Sequence, residues 1–112
     1  GGLSRSDARA ALNWVINEGG HPEYATVARV RLAGVELDAK DANKAKAAID
    51  AIDPAQAQMP LVLDRRGDVL LALGDVEGAR KCWEDALERD RASGELLALL
   101  SLKIQALPEK KS

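Results

Sequence analysis

The residues able to do chemistry in this 112-residue chain are few and far apart. There is one histidine, His21, in a Gly-Gly-His-Pro stretch typical of a turn, and one cysteine, Cys82. A nucleophilic triad needs a histidine beside a serine or cysteine, and a metal site needs several ligands at fixed spacing. His21 has no such partners, so we interpret it as a turn or surface residue. We expect no enzyme activity, no cofactor and no metal site.

The remaining polar groups are also explained by structure. Cys82 precedes Trp83 and is interpreted as a small packing residue, and a single cysteine cannot form an intrachain disulfide. Carboxylates such as Glu84 and Asp85 have the spacing of a solvated helix face. The net charge of -2 argues against a nucleic-acid partner, because phosphate contacts need a basic face.

Six helices are predicted from apolar periodicity, capping residues and Gly or Pro stops. Ser6, Asp41 and Asp75 are the expected N-caps of the first, third and fifth helices. The chain is therefore expected to be all-α, with a single domain over residues 1–108 and a polar tail at 109–112. The approximate helix bounds are Ser6–Asn17, Pro22–Ala39, Ala42–Ile52, Met59–Leu73, Val76–Asp90 and Gly94–Leu107.

A regular period relates these helices, as the even spacing of three alanines illustrates: Ala11, Ala45 and Ala79. It matches the period of the tetratricopeptide repeat (TPR), about 34 residues, in which each helical hairpin hides apolar surface against the next. In residues 60–93, small Gly67 and Ala79 would let two helices approach, and Trp83 would fill the core between them. The sequence predicts TPR-like antiparallel hairpins closed by a C-terminal capping helix.

The predicted stack begins with half a repeat, since only the second helix of the first unit is present. The domain is therefore expected to be truncated at its N-terminus. The absence of a first helix would expose the apolar face of helix 1 and permit a homodimer. Trp14 on that helix is interpreted either as core or as an exposed interface anchor.

Four stretches within residues 25–108 resemble a narrower family: VARVRLA (27–33), AKAAIDAI (45–52), DRRGDVLLALGDVEGARKCWEDAL (64–87) and LLSLKIQAL (99–107). They are similar to the periplasmic TPR-like domain of the ancillary SecYEG translocon subunit family (YfgM type). The resemblance implies a non-catalytic, chaperone-like accessory of the bacterial secretion translocon that acts on emerging envelope proteins. Its implied partners are translocon subunits, periplasmic chaperones or envelope clients. The implied location is the periplasmic side of the inner membrane, through an N-terminal anchor that lies outside this sequence.

The partner-binding groove is predicted on the concave side, which the first helix of each pair lines. Its expected exposed positions are Val27, Val30, Arg31 and Gly34 in one unit and Leu61, Asp64, Arg65 and Asp68 in the next. Arg31 and Arg65 should stand side by side. Either their guanidinium groups grip a carboxylate or backbone of a partner, or Arg65 pairs with a neighbouring aspartate. The alternative function is a generic TPR scaffold for a cytoplasmic or pilus complex.

Overall fold

The chain is all-α in the computed structural model, which describes residues 4–89 and 94–109. No strand occurs in these residues, and the predicted fold class is confirmed. The predicted helix end at Asp90 lies outside the described residues. So do residues 1–3 and 110–112, and the division into domain and tail stays a prediction. The helices are α1 (Arg5–Glu18), α2 (Pro22–Asp38), α3 (Ala42–Asp50), α4 (Pro60–Ala72), α5 (Val76–Arg89) and α6 (Gly94–Ala106), with a 3₁₀ turn at Pro54–Gln56.

Asp41 and Asp75 cap the second helix of each repeat, as predicted. The Asp41 carboxylate accepts a hydrogen bond from the Lys44 amide at 3.0 Å, and the Asp75 carboxylate accepts one from the Gly78 amide at 2.9 Å. Gly74 follows α4 with φ at +89°, a left-handed conformation that side chains disfavour. The tight hairpin between α4 and α5 therefore follows from Gly74 and Asp75.

The predicted cap of α1 at Ser6 is wrong, because Ser4 caps that helix. Its Oγ accepts a hydrogen bond from the Asp7 amide at 3.1 Å and donates to the Asp7 carboxylate at 2.9 Å. This reciprocal pairing satisfies a free amide of the first turn, so the helix begins directly after Ser4.

Buried side chains form two clusters, one where the α2–α3 hairpin meets α4 and one where the α4–α5 hairpin meets α6. The α2–α3–α4 cluster consists of Val30, Ala33, Ala45, Ala48, Ile49, Ile52, Val62 and Val69. The α4–α5–α6 cluster consists of Leu63, Ala79, Trp83, Ala86, Leu100 and Leu107. The helices are thus held by contacts between neighbours along the stack, as in repeat proteins generally.

The α4–α5 contact depends on a small residue facing a large one. Gly67 lies against the indole of Trp83, and a Cβ at that position would overlap the ring. Trp83 is 2% exposed, and its Nε1 donates to the Asp64 carbonyl at 2.9 Å. The prediction that Trp83 belongs to the core is confirmed.

A partly buried ion pair joins α1 to α2. Glu36 is 6% exposed, and its carboxylate accepts three hydrogen bonds from Arg9, between 2.8 and 3.1 Å. The hydrogen bonds from Arg9 to Glu36 raise the pKa of Arg9. Arg5 adds a hydrogen bond to the Asp38 carbonyl at 3.1 Å. No residue of α1 is fully buried, so these polar contacts orient the helix.

Helix α6 takes the place of the first helix of a further repeat. Leu100 is fully buried against the α4–α5 hairpin, and it lies one repeat period after Arg66, which faces the preceding unit from α4. After the helix, Arg80 of α5 donates to the Pro108 carbonyl and to Glu77. This buried arginine thus connects the segment that follows α6 to helix α5.

Candidate functional site

The structure divides the eight predicted groove positions into accessible and buried groups. Arg31 and Leu61 are exposed, the latter at 38%, whereas Val27 and Gly34 are half-buried. Val30 was expected to be exposed, and that expectation is wrong. It is 2% exposed because its side chain joins the α2–α3–α4 cluster.

Arg65 is engaged within the protein. Its Nε donates to the Val30 carbonyl at 3.1 Å, and its guanidinium also donates to Asp68 at 3.1 Å. The guanidinium lies over Gly34, where it fills the space of the missing side chain. Of the two alternatives for Arg65, the structure shows pairing with a neighbouring aspartate. Arg31, by contrast, is exposed and forms no ion pair in the described part of the chain.

Lys103 of α6 covers the centre of the groove. Its ammonium donates to Asp64 at 2.7 Å and to Asp68 at 2.8 Å, and it lies 5.6 Å from the centre of the Trp83 ring. The side chains of Asp64, Asp68 and Lys103 retain only 14%, 19% and 23% of their exposure. These contacts place α6 beside α4 on the concave side.

Protonation of this cluster follows from its burial and its shared charges. Burial raises the pKa of Asp68 above its usual value, and the nearby Asp64 carboxylate adds to that effect. Burial would by itself lower the pKa of Lys103, but the hydrogen bonds to both carboxylates outweigh it, so that pKa is raised. Lys103 and Arg65 both act to lower the pKa of Asp68, but the effect of burial is larger, so that pKa is raised.

Two exposed leucines of α6 extend the concave side beyond the predicted positions. Leu99 and Leu102 lie one repeat period after Arg65 and Asp68, and they are 46% and 63% exposed. One further application of the repeat period to the C-terminal helix would have found them. The groove therefore has a polar centre, with exposed apolar side chains on the α6 side.

The other end of the groove opens into a small cleft between α1 and α2. Its volume is about 360 Å³, and its lining is Leu12, Val15, Tyr24, Val27, Ala28 and Arg31. Tyr24, which the sequence analysis did not single out as a site residue, is 59% exposed. The cleft is mainly apolar with one cation at its edge, an arrangement suited to a protein side chain or helix.

His21 and Cys82 lie where the sequence predicted, the first on the surface and the second in a partly buried position. The His21 side chain is 62% exposed at the start of α2, and it lies 5.0 Å from Tyr24 between ring centres. Cys82 is half-buried, and burial raises the pKa of its thiol. Residues 4–89 and 94–109 hold no group of three or more His, Cys, Asp or Glu side chains that could bind a metal ion.

Among the helices of the described ranges, none is both long enough and apolar enough to cross a bilayer.

Comparison with known proteins agrees with the tetratricopeptide repeat-like fold. A model of the tetratricopeptide repeat-like domain family matches residues 4–109. The ancillary SecYEG translocon subunit of Escherichia coli (strain K12) is 31% identical over 100 residues, which cover 89% of this chain and 48% of that protein. The chain thus spans about half the length of this relative. No solved structure gave a significant match.

These matches confirm the resemblance drawn from the four sequence stretches. Stacked hairpins of this kind present concave surfaces that bind other proteins. The family match covers nearly all of the described residues, and the six helices have the order and packing that the repeat requires. The chain belongs to the tetratricopeptide repeat-like domain family, and its fold is that of a protein-interaction module.

Proposed function

We propose that this protein is a non-catalytic, chaperone-like accessory of the bacterial secretion translocon that binds emerging envelope proteins. The observation that carries the proposal is the 31% identity to the ancillary SecYEG translocon subunit over 89% of the chain. Its proposed location is the periplasmic side of the inner membrane. Its proposed partners are translocon subunits, periplasmic chaperones and envelope clients.

The concave groove is the proposed binding surface, and its two ends contribute differently. At the α2 end, Arg31 is free of ion pairs among the described residues and lies beside the apolar Val27. At the α6 end, Leu99 and Leu102 are exposed. An incoming segment could place a carboxylate or backbone carbonyl on Arg31 and apolar side chains on the leucines.

The centre of the groove is expected to contribute less to partner binding than the two ends. Arg65, Asp64, Asp68 and Lys103 satisfy one another, so a partner gains little by replacing those contacts. We therefore expect binding to depend more strongly on Arg31 and Leu102 than on Arg65.

The proposal is tested by in-cell photocrosslinking of the full-length protein. A photoreactive residue is placed at Arg31, at Leu102 or at Lys81, and the last serves as the control. The Lys81 side chain is 79% exposed on α5, a second helix of its repeat and thus on the opposite side from the groove lining. Adducts with translocon subunits or envelope proteins are expected from Arg31 and Leu102 but not from Lys81.

Other outcomes separate the parts of the proposal. Adducts with cytoplasmic or pilus proteins from the same two positions would favour the generic scaffold and contradict a secretion role. Equal yields from Lys81 and the groove would contradict the groove as the binding surface. A matched pair of Arg31→Ala and Arg65→Ala variants then tests the prediction about the centre, with greater loss of adducts expected for Arg31→Ala.

A further inference from the structure

The leucines of α6 cover too much of the helix for burial alone to decide which of them face the core. Seven apolar side chains larger than alanine lie in the helix or directly after it: Leu96, Leu97, Leu99, Leu100, Leu102, Ile104 and Leu107. At about 3.6 residues per turn they span an arc of roughly 220°, whereas a helix that packs on one side needs an apolar stripe of about 100°. Several rotations of α6 would therefore bury a similar apolar area.

The structure nevertheless shows one definite rotation of α6. Leu100 is fully buried, and Leu96 and Ile104 pack against the same α4–α5–α6 cluster. Leu99 and Leu102 lie on the groove side instead, where they are 46% and 63% exposed. Because apolar area does not distinguish these leucines from one another, a different contact must select the rotation.

Lys103 lies near the middle of the apolar arc, between the exposed leucines and the buried ones. Leu99 is one turn before it and Leu107 one turn after it, about 40° to either side around the helix. A rotation that turned the centre of the arc toward the core would bury the ammonium, and an ammonium buried without carboxylates is strongly unfavourable. Lys103 therefore opposes the rotation that apolar burial alone would favour.

Two carboxylates of α4 determine where that ammonium lies. Lys103 Nζ donates to Asp64 Oδ1 at 2.7 Å and to Asp68 Oδ1 at 2.8 Å, whereas Asp68 Oδ2 accepts a hydrogen bond from Arg65. The Asp64 carbonyl also accepts the hydrogen bond from Trp83 Nε1, so this part of α4 is fixed by a core contact. Because Asp64 and Asp68 are one turn apart, the two bonds fix both the rotation of α6 and its position along α4.

We propose that the pairing of Lys103 with Asp64 and Asp68 decides which leucines of α6 face the groove, so that Lys103 is a positioning residue for the apolar side of the groove. Single polar contacts can specify register in helical assemblies even where they add little stability. This role rests on the proposed function, because it matters for binding only if Leu99 and Leu102 contact partners. The purified protein tests it without any partner, so the two proposals fail separately.

Removing the lysine and removing the carboxylates should rotate α6 in opposite directions. Lys103→Met keeps an unbranched side chain without the charge, so the centre of the apolar arc is free to turn toward the core. Leu99 is then expected to move inward and Ile104 outward. The double variant Asp64→Asn with Asp68→Asn keeps the lysine, which is expected to turn toward water. Leu99 then moves outward and Ile104 inward.

Thiol modification measures this rotation. Leu99→Cys or Ile104→Cys is introduced in a Cys82→Ala background, and the rate of reaction with a maleimide is measured with Lys103 present and in Lys103→Met. Because reaction follows exposure of the thiol, Lys103→Met is expected to slow the reaction of the Leu99→Cys chain by about fivefold or more. It is expected to speed the reaction of the Ile104→Cys chain by a similar factor.

Matched variants separate rotation from loss of folding. The double variant at Asp64 and Asp68 is expected to change both rates in the direction opposite to Lys103→Met. Lys103→Arg retains the charge and should give the rates of the unaltered lysine. Lys81→Met removes an exposed lysine of α5 that pairs with Asp85, and it should leave both rates unchanged. Circular dichroism and urea midpoints establish that each variant is folded under the conditions of the reaction.

Three results would overturn the proposal. Unchanged rates at both positions in Lys103→Met would show that the pairing does not select the rotation. Faster reaction at both positions would show that it only holds α6 on the stack. The third result is the same direction of change in Lys103→Met and in the double variant. A lack of photocrosslinking from Leu102 would instead count against the groove as a binding surface and would leave the role of Lys103 intact.

Discussion

The α1–α2 pair of helices and the α4–α5 pair place residues of the same types in opposite environments. Each contains one tryptophan and one groove arginine. In α4–α5, Trp83 is 2% exposed and Arg65 is bound to a carbonyl and a carboxylate. In α1–α2, Trp14 is 63% exposed and Arg31 is on the surface. Arg31 and Arg65 share one register position, and the neighbouring α2 supplies the carbonyl that Arg65 binds. Trp14 and Trp83 differ in register, because Trp14 corresponds to Cys82 and not to Trp83.

The largest contrast is expected between the two tryptophans. Trp83→Ala should lower the free energy of unfolding by about 3–5 kcal/mol, because it empties a buried site between α4 and α5. Trp14→Ala should change it by less than about 0.5 kcal/mol, as expected for an exposed position. Urea unfolding at a dilution where the protein is monomeric measures both. Similar losses for the two variants would contradict the contrast.

The ion pair that holds α1 on α2 should have the next largest effect. Arg9→Asn should lower the urea midpoint, because it leaves the buried Glu36 carboxylate without its cation. The decrease should be smaller than for Trp83→Ala and larger than for Lys103→Met or Asp50→Asn. The double variant Arg9→Asn with Glu36→Leu copies the equivalent pair of the next unit, Asn43 and Leu70. It should recover most of that loss in urea unfolding. If the double variant is as unstable as the single one, the pair itself provides the stability.

A substitution of Lys103 tests how much the closed centre of the groove contributes to stability. Lys103→Met should cost about 1–2 kcal/mol at neutral pH, because Asp64 and Asp68 lose a partner while partly shielded from water. The raised pKa of Lys103 means that its stabilising contribution is complete below its unfolded pKa. That contribution is lost as pH rises through the folded value.

Acid should affect the same variant in a defined direction. Because burial raises the pKa of Asp68, this carboxylate takes up a proton as the pH falls into the acid range and no longer needs the ammonium. The difference in stability between Lys103→Met and the unaltered chain should therefore shrink toward acid pH. A difference that stays constant from neutral to strongly acid pH would show that the lysine acts through its methylene packing instead.

Asp50 is expected to give the smallest effect. The hydrogen bond from Lys46 and, after a smaller opposing effect of burial, one from Arg66 lower the pKa of Asp50. Its stabilising contribution is therefore present above the unfolded pKa and lost as pH falls through the folded one. Asp50→Asn should cost less than about 1 kcal/mol at neutral pH, because the pair is exposed. Acid titration of stability should be correspondingly shallower in the variant.

Much of the fold could be predicted because it depends on local or periodic signals. Gly74 and Asp75 specify the α4–α5 turn, and the repeat spacing identifies the faces that touch. The cap of α1 was misplaced because Ser4 and Ser6 are both plausible caps. Only the side-chain hydrogen bonds to Asp7 distinguish them.

The candidate groove was predicted less completely than the fold. Leu61 and Arg31 are exposed as expected, but Val30 points into the core, and Leu99 and Leu102 of α6 were not anticipated. The period alone does not say which of two adjacent helical positions faces a neighbour. That choice depends on how each helix is rotated by the contacts on both of its sides.

By itself, the sequence determined the helices, their order, the repeat period and the close approach of Gly67 to the Trp83 helix. These follow from backbone preferences and from the size of side chains at fixed spacing. Only the tertiary structure decided that Glu36 pairs with Arg9, that Lys103 lies over Asp64 and Asp68, and that Arg31 is exposed whereas Arg65 is bound to a carbonyl. Those outcomes join side chains 27 to 39 residues apart in the chain, and they depend on helix rotation and burial, which local sequence does not encode.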